Sequence, residues 1–145
     1  MEGWKGGRVD GWKDYLLQIN LTAIGVTTHK DLEVWKDGIK LVKEIYSTTQ
    51  DFPSLEQFGI IAQLRRAAVS VPTNIAEGAA RKGDKELIRF LYIALGSLSE
   101  IETLLIISSD LGFLQNEDLL EKVVVLRRKL LNLIKYQESK KERLN

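Results

Sequence analysis

The spacing of Leu87, Leu91, Ala94, Leu98, Ile101 and Leu105, in alternating steps of four and three, constrains this chain more than any other feature. Apolar residues at that spacing form one stripe along an α-helix, and a stripe so long must be covered by other helices. Three further seams answer it. Leu32, Trp35, Ile39, Val42 and Tyr46 repeat the pattern, as do Ile61, Leu64, Ala68, Val71 and Ile75. The last seam is Leu119, Val123, Leu126, Leu130, Leu133 and Gln137. No run of alternating β-branched residues competes with helix. The expectation is an all-α fold, an antiparallel up-down-up-down four-helix bundle built from residues 30–145.

Punctuation between the seams fits this reading. Pro53 disfavours helical geometry at Phe52, and Ser54 with Gln57 has the capping-box spacing for opening the second helix. Pro72 falls inside that helix and predicts a kink in a continuous element. Gly78 and Gly83 flank its end, Asp84 caps the third helix, and Gly112 suits a left-handed C-terminal cap. Asn116 is the expected cap of the fourth helix.

Residues 1–29 differ from the rest. They hold five of the eleven glycines, and Glu2-Gly-Trp-Lys and Asp10-Gly-Trp-Lys are near-copies. The expectation is a poorly ordered extension, in which Trp4 and Trp12 are either aromatic anchors for a partner or part of an added upstream segment. Tyr15 to Ile19 is too short for a secretory apolar core, and Phe90 to Ser99 spans about half a bilayer. With no cysteine, a cytoplasmic protein without membrane attachment is expected.

The second and third helices also carry an outer face that a monomer would not need. Opposite its seam, the second presents Ala62, Arg66, Val69, Ser70, Thr73 and Glu77. The third presents Arg89, Tyr92, Ile93, Gly96, Glu100, Thr103 and Ile107. Mid-helix glycine costs stability, so Gly96 makes sense where another helix comes close. A homo-oligomer assembled through this face is expected, with Arg66 or Arg89 paired to Glu77 or Glu100. The alternative is an unusually apolar monomer surface.

The net charge of +1 is an average. Residues 30–121 hold 10 basic and 15 acidic side chains, whereas residues 122–145 hold 8 basic and 2 acidic. Arg127, Arg128 and Lys129 form the densest run of the terminal segment. A second cluster, Arg81, Lys82, Lys85 and Arg89, surrounds the turn between helices two and three. Clustered cations on rigid helices track phosphates and give salt-sensitive nucleic-acid binding. Cations near a helix C-terminus also have a purely structural use, complementing the helix dipole.

No catalytic constellation can be assembled. His29 is the only histidine and there is no cysteine, so neither a Cys–His pair nor an ordinary zinc site is available. No cofactor, metal or enzymatic activity is expected.

Two motifs in order, Gln63-Leu-Arg-Arg-Ala-Ala-Val-Ser-Val-Pro-Thr-Asn-Ile-Ala-Glu-Gly78 and Phe90-Leu-Tyr-Ile-Ala-Leu-Gly-Ser-Leu-Ser-Glu-Ile-Glu102, carry a family resemblance. With Asp31-Leu-Glu-Val-Trp35, the chain resembles the four-helix-bundle family that includes proteins encoded in intervening sequences of bacterial 23S ribosomal RNA genes. It is also similar to the accessory variability protein of diversity-generating retroelements. The resemblance extends from about Lys30 to Lys135. It implies a homopentamer whose basic positions contribute to nucleic-acid binding and, for the retroelement members, association with a reverse transcriptase. By position, Arg65 and Arg66 match the family's paired arginines, and Arg81, Lys82 and Arg89 match its basic turn.

Two functions follow as expectations. One is a nucleic-acid-binding accessory protein acting on RNA or an RNA–DNA hybrid. The other is a protein-binding or ribosome-associated scaffold that makes no direct nucleic-acid contact.

Overall fold

The computed structural model describes residues 29–143, with side chains over 33–140. Of residues 1–29 only His29 is included, so the expectation for that extension lies outside the described residues. Four long helices account for most of the rest: α1 (His29–Thr49), α2 (Ile60–Ala80), α3 (Asp84–Asp110) and α4 (Asp118–Arg143). A 3-10 turn, Ser54–Glu56, lies between α1 and α2. There is no strand among the described residues. Each helix packs against two others, α2 on α3 most extensively and α1 on α4 least, so the apolar stripes close around one core.

The α2, α3 and α4 seams are buried throughout, with Leu64, Val71, Leu91, Leu98, Ile101, Leu105, Leu119 and Leu130 wholly inaccessible. In α1 the expected seam is rotated. Val34, Gly38, Leu41, Ile45 and Thr49 face inward, Trp35, Ile39 and Val42 are half-buried at the margin, and Tyr46 is exposed. Gly38 explains the rotation. A Cβ there would lie only 3.4 Å from Pro72 Cβ, so the smallest residue of α1 meets the proline ring of α2. A pattern that counts only apolar residues passes over a glycine contact. Pro72 is buried within a continuous α2.

The helix starts also differ from expectation. Ser54 opens the 3-10 turn and makes no side-chain cap bond; α2 starts at Ile60, after Gly59. Asp84 is the first residue of α3, with Gly83 at φ 96° as its N-cap, because only glycine takes that backbone conformation cheaply. The end of α2 at Ala80 falls between Gly78 and Gly83, as read, with the Arg81 amide donating to the Gly78 carbonyl. The remaining stops are as read: Gly112 has φ 78°, and the Asp118 amide donates to Asn116 Oδ1 at 3.1 Å.

Over an 18-residue window, α3 reaches a mean hydropathy of 1.7, enough by length and composition to cross a bilayer. Its apolar stripe is occupied as the centre of the bundle. Leu87, Leu91, Ala94, Leu98, Ile101 and Leu105 all lie in the common core.

Candidate nucleic-acid interface

The charge partition in the sequence resolves largely into pairs across the bundle. From α4, Lys122 Nζ donates to both carboxylate oxygens of Glu44 at 2.9 Å. Lys129 Nζ donates to Glu33 at 3.1 Å and Asp37 at 2.9 Å, and these bonds hold its ammonium above the usual lysine range. Arg127 pairs with Glu102 of α3. Lys140 lies 3.9 Å from Asp84. The acidic body and the basic terminal helix therefore neutralise one another. The run Arg127, Arg128, Lys129 is not one surface: Arg127 turns toward α3, Lys129 toward α1, and exposed Arg128 has no ion pair among the described residues.

The turn between α2 and α3 is organised differently. Phe90 is buried, and two guanidinium groups lie over its ring, Arg81 at 5.4 Å and Arg89 at 4.9 Å from the centroid. Each arginine is steadied by a carboxylate of its own helix region, Arg81 by Glu77 at 3.0 Å and Arg89 by Glu86 at 3.5 Å. These pairs are exposed, so they orient the side chains more than they stabilise the fold. Lys82 and Lys85 are exposed and have no ion pair among the described residues. Two arginines are thus held on an aromatic platform, with two free lysines beside them. That grouping offers cations to a polyanion without disturbing the core. The α4 end lies close by, since Tyr92 Oη donates to Glu138 Oε1 at 2.9 Å; that bond raises the Tyr92 pKa.

The proposed interface residues are placed as follows. Arg66, Thr73, Glu77, Tyr92, Gly96 and Glu100 are exposed, together with Val69, Ile93 and Ile107. Ser70 instead faces α3, where its hydroxyl and that of Ser97 are 2.7 Å apart. Glu77 and Arg89 have partners within the chain, so neither needs one from another copy. Nothing lies within 4 Å of a Cβ placed on Gly96. Packing among the described residues therefore gives no reason for glycine there.

Arg65 has a structural role. Its Nε donates to Thr49 Oγ1 at 3.0 Å and its Nη2 to the Tyr46 carbonyl at 3.4 Å, with the guanidinium 4.5 Å from the Tyr46 ring centroid. It satisfies one carbonyl and a hydroxyl near the C-terminal end of α1. The neighbour positions Arg65 and Arg66 thus part company: the first is a cap, the second remains exposed.

A groove of about 540 Å³ runs between α1 and α4, lined by Asp37, Glu44, Lys122 and Lys129 among others. Its charges are the cross-helix pairs already described, so it reads as the loosest seam of the bundle. Among the described residues no group of three or more His, Asp or Glu is placed to hold a metal.

The family described as 23S rRNA-intervening sequence protein matches residues 30–134. No curated relative matches the chain. A solved structure that resembles it is a protein of unknown function from the S23 ribosomal protein family of Bacteroides thetaiotaomicron. The two are 21% identical with a TM-score of 0.67, over 73% of this chain and 98% of that one. At such identity the likeness is one of fold. The family description names no catalytic activity.

Proposed function

Because the chain belongs to the 23S rRNA-intervening sequence protein family, we propose that it is a non-enzymatic, homo-oligomeric accessory protein that binds nucleic acid through the α2–α3 turn. The observation that carries this reading is the platform of Arg81 and Arg89 on Phe90 beside Lys82 and Lys85, which have no ion pair among the described residues. The helices are read as up-down-up-down. Supporting this, residue numbers fall on one helix as they rise on its neighbour: Ser70 meets Ser97 while Gly78 approaches Phe90. Likewise Lys122 meets Glu44 while Lys129 meets Asp37. RNA or an RNA–DNA hybrid is the proposed ligand, and a reverse transcriptase is a proposed partner.

A titration on filters with RNA and with an RNA–DNA duplex, at two salt concentrations, tests the ligand. The double change Lys82→Ala/Lys85→Ala is expected to weaken binding and to lower the slope of log K against log salt by about one to two. Arg128→Ala should have the smaller effect. Absence of binding at low salt defeats the proposal. Variants at Arg127 or Lys129 are poor tests, since each breaks an ion pair between helices.

Assembly is proposed to use the exposed face of α2 and α3, with five copies as the family resemblance implies. Val69, Tyr92, Ile93 and Ile107 are each between 38% and 47% exposed, a row that a second copy would cover. Gly96→Leu is expected to lower the assembled mass in light scattering while leaving helicity by circular dichroism intact, because a larger side chain has room in the single chain. A wild-type mass near the 16.5 kDa of one chain would remove this part of the proposal.

A further inference from the structure

The end of the bundle opposite the basic turn carries a different surface. Contact of the Phe52 and Phe113 rings, with centroids 5.9 Å apart, brings the α1–α2 linker and the α3–α4 turn together there. Leu55 is 95% exposed, Phe58 91% and Leu111 59%. These side chains do not belong to a slack loop. Phe52 is buried beneath them, and the linker is held by backbone bonds from Phe52 to Thr49 at 3.2 Å, Glu56 to Pro53 at 2.9 Å and Gly59 to Glu56 at 3.0 Å. Ile60 and Ile61, directly after, are buried. A hydrogen-bonded turn thus directs Leu55 and Phe58 into solvent, beside the point where the chain enters the core.

The charge around them is mainly negative, with Arg65, held on Thr49 and the Tyr46 carbonyl, as a cation at the edge of this pole. Within residues 46–64 and 104–121 there are six acidic residues and no Lys or Arg. Asp51, Glu56, Asp110, Glu117, Asp118 and Glu121 make no ion pair among the described residues. Asp118 and Glu121 sit in the first turn of α4, where the helix dipole favours them. Asp110 ends α3 and Asp51 follows α1, positions at which the dipole disfavours a carboxylate. Helix stability therefore does not account for those two.

We propose that this pole is a docking surface for a basic amphipathic segment of another protein. Leu55, Phe58 and Leu111 would supply the apolar anchors, and the surrounding carboxylates would meet lysines or arginines. The same charge repels nucleic acid and anionic lipid. A second copy of this chain fits less well, because the exposed large apolar side chains nearest its basic turn, Val69, Tyr92 and Ile93, lie on the face proposed for assembly. The inference is independent of nucleic-acid binding, which is assigned to the opposite pole.

Fluorescence anisotropy of the full chain with a labelled amphipathic Lys–Leu helix peptide tests it, with a Glu–Leu peptide of the same pattern as control. The Lys–Leu peptide is expected to bind, more weakly as salt rises. The double change Leu55→Ser/Phe58→Ser should lower affinity by about tenfold or more. Because both side chains are exposed, its thermal melt should match the wild type, and Lys82→Ala/Lys85→Ala should bind the peptide normally. No binding by the wild type, equal binding by the serine variant, or equal binding of the Glu–Leu peptide overturns the proposal. So does a fall in assembled mass for the serine variant, which would make the patch a contact between copies.

Discussion

Replacing Gly78 with alanine is expected to lower the unfolding free energy by about 1–2 kcal/mol, although alanine is the better helix former by about 1 kcal/mol. A Cβ at this position would lie 2.7 Å from Phe90 Cβ and 3.3 Å from the Leu87 carbonyl oxygen. Neither is the far end of a flexible side chain. Helix α3 must move away from α2 at this point, and overpacking of this kind costs more than propensity returns. The same change at Gly96, where a Cβ meets nothing within 4 Å, should instead stabilise the dissociated chain by about 0.5–1 kcal/mol. Urea denaturation of the two variants at low protein concentration checks both signs. Equal responses would show that α2 and α3 separate without loss. Since Phe90 also carries the guanidinium groups of Arg81 and Arg89, Gly78→Ala should weaken the proposed nucleic-acid binding as well, with no charge removed.

Gln137→Leu is expected to act in the other direction, raising stability by about 2 kcal/mol and the thermal midpoint by several degrees. Gln137 is wholly buried in the α4 seam, and among the described residues neither its Nε2 nor its Oε1 has a hydrogen-bond partner. Desolvating an amide without replacing its hydrogen bonds with water is costly, and leucine fills a similar volume with no polar atom. Leu133 and Ile134, just before it, are already at 1% exposure, so the site is apolar enough to accept the change. A thermal melt followed by circular dichroism reads the effect. A fall in stability would mean that the amide has a partner beyond the described residues.

The helices were legible because their signal is local and repeated. Seventeen positions, read from period alone as the seams of α2, α3 and α4 and including the inward Gln137, need no knowledge of neighbours beyond one helical turn. Gln137 itself was found by phase in spite of its polarity. The α1 seam was misplaced by one position because Gly38 and Pro72 make a close contact that no apolar count registers. Ser54 had the spacing of a cap, but Gly59 interrupts the helix it would have opened, and a 3-10 turn results. At the candidate site, Arg81, Lys82, Lys85 and Arg89 were visible as a cluster. The use of Phe90 as a platform for two of them was not, since it depends on where the α3 helix brings the ring.

Charge divides the two kinds of information most plainly. The sequence by itself determined that basic residues concentrate in the last helix and acidic ones in the body before it. Only the tertiary structure decided which of these charges are consumed. Lys129 meets Asp37 across 92 residues of chain and Lys122 meets Glu44 across 78, separations over which no local pattern carries information. Periodicity tells a helix which side to bury, because successive turns of one helix repeat that choice. Which helix lies alongside, and so which cations stay unpaired, depends on packing among all four.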